Sequence, residues 1–206
     1  MSWIDISRPL SPETAVWPGD QSVEWSWTAR REEGSSVNLG AIRTTVHAGT
    51  HADAPLHAHS NGTSIDNVEA SPYIGPAEVV HVDGDTITRA DVVAVTAKRV
   101  LFRTPASELP EGTWPERVTP ISPDAIHAMN DRGVVLVGTD APSIDPLDSK
   151  TLDAHHALFN AGMLNLEGLL LRNIEPGTYS LIALPLNIQG ADGSPVRAVL
   201  RRATPT

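Results

Sequence analysis

HAGTHADAPLHAH, residues 47–59, gathers four of the chain's eight histidines. His47, His51, Asp53, His57 and His59 occupy odd positions, and the even positions Ala48, Thr50, Ala52, Ala54, Leu56 and Ala58 are small or apolar. Imidazole and carboxylate are suitable ligands for Zn2+ and its first-row neighbours. A helix carrying His47 and His51 on one face is opposed by Gly49, Thr50 and Pro55. A straight strand fails as well. At about 3.3 Å per residue the two imidazoles would stand roughly 13 Å apart, whereas a zinc–nitrogen bond is about 2 Å. The chain is therefore expected to fold back at Gly49, the residue able to take the necessary backbone angles. Alternation beyond the bend would then keep His51, Asp53 and His57 on one side. His59, beside Ser60-Asn61-Gly62, reads as a surface residue.

This segment leaves a divalent ion short of a closed site, so further ligands are expected from afar. His155 or His156, with Asp153, Glu167 or Glu175, are the candidates. His81 and His127 fall in an expected strand and helix and read as ordinary residues.

Composition narrows the rest. At 206 residues the chain suits one domain spanning 1–206 with a substantial core. The 25 acidic residues against 15 basic ones give a formal charge of −10, and no run of Lys or Arg supplies the footprint a nucleic-acid binder needs. There are no cysteines, which excludes a disulfide framework, a thiolate metal site and a cysteine nucleophile. MSWIDISRPL lacks the apolar centre of a signal peptide, and no stretch approaches the roughly 20 apolar residues of a membrane span. A cytoplasmic protein is the expectation.

Strands are expected over residues 77–84, 98–104, 133–140, 179–186 and 194–202, short runs rich in Val, Ile and Leu and bounded by Gly, Pro, Asp or Asn. The unbroken VVLVG reads as a strand covered on both faces. Helices are expected over 122–133, with Ser122 as N-cap, Pro123 in the first turn and Gly133 as the stop, and over 151–162, ending at Gly162. The 17 prolines and 15 glycines are spread through the connections, so no domain boundary appears. The fold class is α/β, one domain with a central, largely β layer and flanking helices.

His47-Ala48-Gly49-Thr50-His51-Ala52-Asp53-Ala54-Pro55-Leu56-His57 resembles the H-x-G-T-H-x-D-A-P-x-H pattern of the bacterial metal-dependent kynurenine formamidases of the cyclase family. DISRPLSPETAVWPGD, GTDAPSIDPLDSKTLDAHHALF, LNLEGLLL and the closing YSLIALPLNIQGADGSPVRAVLRR extend the likeness over nearly the whole chain. The resemblance implies a cyclase-like fold, a homodimer, and two Zn2+ per chain. His47, His51 and Asp53 would hold the first ion, with Asp53 also reaching the second. His155 and Glu167 would complete the second site, because the family's twelve-residue step to the Glu starts at His155 and not at His156. His57 would transfer protons, and Trp17 of WPGD would contact substrate, although Trp17-Pro18-Gly19-Asp20 also suits a plain turn. Mn2+, Co2+ or Fe2+ would suit the same ligands.

The implied reaction is hydrolysis of N-formyl-L-kynurenine to L-kynurenine and formate in tryptophan degradation. A serine mechanism lacks its G-x-S-x-G elbow here. Two readings stay beside it. One is a related amidohydrolase opening isatin or another cyclic amide or lactone. The other is a non-catalytic metal-binding module.

Overall fold

Leu101 and Phe102 are neighbours in one strand and lie in separate hydrophobic clusters. That alternation divides the core between the two faces of one sheet. The computed structural model describes residues 2–203. In chain order its strands are β1 (Ile4–Asp5), β2 (Glu24–Ala29), β3 (Leu39–Arg43), β4 (His51–Asp53), β5 (Ile74–His81), β6 (Arg99–Arg103), β7 (Leu136–Thr139), β8 (Leu164–Leu166), β9 (Gly177–Ile182), β10 (Gly193–Pro195) and β11 (Val199–Arg202). Three α-helices accompany them: α1 (Arg89–Val92), α2 (Pro123–Asn130) and α3 (Asp153–Asn160).

Seven strands form the central sheet in the order β1-β11-β9-β5-β6-β7-β8. The run β5-β6-β7-β8 is parallel, while β9 joins β5, β11 joins β9 and β1 joins β11 antiparallel. On one face Val100, Phe102 and Val137 pack with Val92 of α1, Ile126 and Met129 of α2, and Leu158 of α3. On the other, Val79, Leu101, Leu136 and Leu166 pack with Ala52, Ala54, Ile65, Tyr73 and Val196. The second cover is not helical. It is the antiparallel pair β4–β10 and its flanking loops, which explains why so few helices suffice to enclose a sheet buried on both sides.

The expected α/β class with a central β layer is what the chain adopts. Ser122 caps α2 by accepting from Ala125 N at 3.2 Å, and Pro123 opens the helix. The run expected as one strand over 194–202 is two. Residues Gly193–Pro195 pair with β4 and Val199–Arg202 pair with β9, and between them Val196 N donates to Thr50 O at 2.9 Å. Pro195 cannot donate to a ladder, so a strand through it is broken at the point where the chain changes partner. The strand expected at 179–186 starts at Gly177 and stops at Ile182.

The hairpin β2–β3 was not expected from the residues. It pairs with no other strand among the described residues and leaves Trp25, Trp27, Leu39 and Ile42 about half exposed, at 54%, 46%, 53% and 53%.

Candidate metal centre

β4 is only three residues long, and alternation along it sets His51 and Asp53 on the same face. Its position is fixed from both sides. One edge pairs with β10, matching Gly193 to Asp53 and Pro195 to His51. The other meets Glu167 in an isolated bridge, with His51 N donating to Glu167 O at 3.1 Å and Glu167 N returning to His51 O at 2.9 Å. Gly49, at φ 62°, turns the chain back as the residues demanded. Gly168 sits against it at φ 64°, and a Cβ on Gly168 would fall 2.1 Å from the Gly49 carbonyl oxygen. The backbones of the histidine segment and the Glu167 segment meet where only glycine fits.

The bend brings His47 Nδ1 to 2.9 Å from Asp53 Oδ1, and His51 Nε2 lies 3.5 Å from that oxygen. The other Asp53 oxygen, Oδ2, lies 3.3 Å from His155 Nε2, which is also 3.3 Å from Glu167 Oε1. His51 Nε2 stands 3.5 Å from Glu167 Oε2. Three donor groups result, the more open His47-His57-Asp192 and the pair His47-His51-Asp53 and Asp53-His155-Glu167, with the ligand atoms of each within 4.8 Å of one another. Asp53 belongs to both members of the pair.

The residues fit divalent cations on three counts. Asp53 and Glu167 are buried carboxylates facing one another, and among the described residues no Lys or Arg pairs with either. Buried like charges need neutralising partners, which metal ions or protonated imidazoles can supply. Secondly, each histidine has its far nitrogen held. Gly49 O lies 3.1 Å from His51 Nδ1, Asp145 Oδ2 lies 2.7 Å from His155 Nδ1, and Asp192 Oδ2 lies 3.0 Å from His47 Nε2. Such outer partners fix the tautomer and orientation of metal-binding imidazoles. Thirdly, the carboxylates are themselves oriented. Asn165 Nδ2 donates to Asp53 Oδ2 at 2.6 Å and to Glu167 Oε1 at 3.2 Å, and Ile144 N donates to Glu167 Oε1 at 3.0 Å.

Charge fills the gap as protons where no metal is bound. Burial opposes the imidazolium of His47, but Asp192 and Asp53 overcome it and raise its pKa to about 10. Burial likewise opposes charge on His155, and Asp145, Asp53 and Glu167 push it well above the usual imidazole range. Asp53 is held well below the carboxylate range against its own burial by His155 and His47. Metal ligation replaces such protons, since ligating imidazole is neutral.

His57 is not where alternation was expected to put it. β4 ends at Asp53, and Pro55–His57 forms a 3-10 turn, because Pro55 opens a helical turn more readily than it continues a strand. The turn swings the His57 ring to 4.3 Å from the His47 ring and 5.6 Å from that of His155, and its Nδ1 to 3.3 Å from Asp192 Oδ2. There it joins His47 and Asp192 in the more open donor group and pairs with neither Asp53 nor Glu167.

Of the distant candidates, His155 and Glu167 reach the centre and the others do not. Asp153 and Glu175 are exposed, and His156 packs against His59 with ring centroids 4.6 Å apart. His81 sits at the end of β5 with Asp83 as its partner, and His127 lies on α2. Trp17 occupies a turn closed by Asp20 N donating to Trp17 O at 2.9 Å. Its ring meets Trp114 edge to face, centroids 5.4 Å apart, in the wall of a cavity that also takes in His47 and Gly49.

Three residues were missed. Asp192 lies next to Gly193 in what reads as an ordinary turn. Asp145 caps α3 from outside the helix, accepting from Ala154 N and His155 N at 2.9 and 3.0 Å, while the N-cap position holds Leu152, which has no side-chain oxygen. Asn165 had a usable signal, since two residues before Glu167 in a strand it must share that face.

Comparison with known proteins gives a consistent result. The family model described as "Putative cyclase" matches residues 4–146. A kynurenine formamidase of Salinibacter ruber is 56% identical over 209 residues, covering 98% of this chain and 99% of that protein. Among solved structures, a potential metal-dependent hydrolase with cyclase activity superposes with a TM-score of 0.82 at 28% identity, over 98% of this chain and 99% of that one. Isatin hydrolase A from Labrenzia aggregata shares the fold with a TM-score of 0.81 at 24% identity, over 97% and 93%.

Proposed function

The chain belongs to the cyclase family, and on that premise we propose that it is a metal-dependent kynurenine formamidase, hydrolysing N-formyl-L-kynurenine to L-kynurenine and formate in a cytoplasmic step of tryptophan degradation. The observation that carries this reading is the 56% identity to a kynurenine formamidase along essentially the full length of both chains. The isatin hydrolase shares 24% and speaks for the fold alone.

His47, His51 and Asp53 would hold one Zn2+, and His155 and Glu167 a second, with Asp53 bridging. The pair of donor groups meeting at Asp53 supports two ions, and Mn2+, Co2+ or Fe2+ suit the same atoms. When bound, such ions lower the pKa of water to about 7 and polarise an amide oxygen.

The protein's own residues supply the rest. Asp192 takes His57 at Nδ1, which leaves Nε2 free to accept the proton of the attacking water. The same atom returns that proton to the aniline nitrogen, so the amine leaves neutral and formate keeps the oxygen. Trp17, set edge-on by Trp114, gives the substrate's aromatic ring an apolar wall. Asp145 and Asn165 keep the ligand atoms aimed inward, which removes reorganisation from the reaction.

The chain would act as a homodimer. A lone two-stranded hairpin is marginal in water, and β2–β3 presents Trp25, Trp27, Leu39 and Ile42 outward. An apolar surface of that kind marks an association site.

Steady-state kinetics of the zinc-loaded protein on N-formyl-L-kynurenine and on isatin test the reading. A preference for the formamide of at least about tenfold in kcat/KM is expected, and a preference for isatin overturns it.

A further inference from the structure

The cavity that holds Trp17, Trp114 and His47 also exposes one guanidinium, that of Arg8. Among the described residues lining that cavity it is the one permanent cation, in a chain with a net charge of −10. Its place is built. Arg8 N donates to Thr50 Oγ1 at 2.8 Å, and its Cβ lies 3.8 Å from where a Cβ on Gly49 would stand. Both contacts tie it to the metal-binding segment. Its Nη2 donates to the Asp140 carbonyl at 3.1 Å.

The guanidinium nevertheless has no carboxylate partner within 4 Å among the described residues. The nearest candidates are committed elsewhere or too far. The Asp140 carboxylate accepts from Thr104 N, Thr104 Oγ1 and Ser107 Oγ. Glu111 lies in the same cavity wall, near enough for its charge to be felt at Arg8 and too far to pair. A half-buried arginine anchored by one nitrogen to a carbonyl keeps its other N–H groups for an anion, and its planar fork matches a carboxylate.

We propose that Arg8 binds the α-carboxylate of the substrate and so makes the site selective for an amino-acid formamide over a neutral or cationic one. The inference rests on the formamidase reading above and names what grips the end of the substrate remote from the amide. The α-ammonium then faces a rim that carries Glu13 and Glu111. One cation beside two acids suits a zwitterion and gives nothing to isatin, which has no carboxylate until its ring is opened.

The experiment compares two substrates that differ in a single group, N-formyl-L-kynurenine and the formamide of kynuramine, which lacks only the α-carboxylate. Hydrogen bonds to a charged group contribute enough for the zinc-loaded wild type to favour the carboxylate substrate about 10- to 100-fold in kcat/KM, chiefly through KM. In Arg8→Gln that ratio should fall towards one, and Arg8→Lys should restore part of it. Binding gives a second readout. L-kynurenine should quench the cavity tryptophans of wild type at lower concentration than kynuramine does, and Arg8→Gln should lose that difference. A wild type without preference between the two formamides overturns the inference even if the variant fails to fold, as does a variant that slows both substrates equally. A wild type that hydrolyses neither formamide and opens isatin overturns the formamidase reading, and this inference with it.

Discussion

Asp192 and His57 come from segments 135 residues apart and meet with Oδ2 3.3 Å from Nδ1. The same oxygen lies 3.0 Å from His47 Nε2. One carboxylate therefore orients both an imidazole of the candidate metal-binding group and the imidazole beside it. The His57 side chain is about a third open to solvent and needs an anchor, whereas His47 has Asp53 on its other nitrogen.

Asp192→Asn should lower kcat about 10- to 100-fold, the usual cost of removing an outer partner of a metal-bound histidine. An amide would turn its N–H2 towards His57 Nδ1 and reverse the tautomer that leaves Nε2 free. Rates and metal content measured side by side check this. A wild-type kcat would reduce Asp192 to a surface ion pair.

His57→Ala should bind metal as wild type does while losing about 10²- to 10⁴-fold in turnover, the range of general acid–base groups. The geometry separates the two properties because His57 pairs with neither Asp53 nor Glu167. Loss of metal in this variant would make His57 a ligand and remove its assigned role.

His155→Ala should lower bound zinc from two ions per chain towards one, since His47, His51 and Asp53 remain. His156→Ala should keep both, because that ring packs on His59 outside the centre. Elemental analysis at saturating zinc decides between them. Metal lost from the His156 variant and kept by the His155 variant would refute the placement.

Metal-stripped protein should lose thermal stability as pH rises from about 6.5 to about 10. Folding raises the pKa of His47 to about 10, above the unfolded value of about 6.5. The stabilisation is thus fully present below the lower value and is lost as pH climbs through the upper one. Zinc-loaded protein should not follow this decline, because its imidazoles are already neutral, and zinc added near pH 7 should release protons. Thermal melts of both forms across the range check the sign. A stripped protein whose melting temperature is flat over that window would mean that His47 carries no proton.

Much of this protein is legible along the chain because the physics involved is local. The bend at Gly49 follows from steric freedom at one residue, and the start of α2 follows from Ser122 and Pro123, whose effects reach three residues. The choice of His47, His51 and Asp53 as nearby candidate donors needed no fold at all. In the sequence, His155 is joined to them only through the likeness to a family, since about a hundred residues separate it from His51. The structure decided what depends on register. Which strand borders β4 determines that Asp192 arrives beside His57, and the bridge of His51 to Glu167 brings Asn165 under two carboxylates. The same pairing cut the run at 194–202 in two, because Pro195 ends one ladder before β11 begins another. Propensity and spacing act through neighbours in the chain, whereas the orientation of a buried imidazole is set by whichever acceptor the folded sheet carries to its far nitrogen.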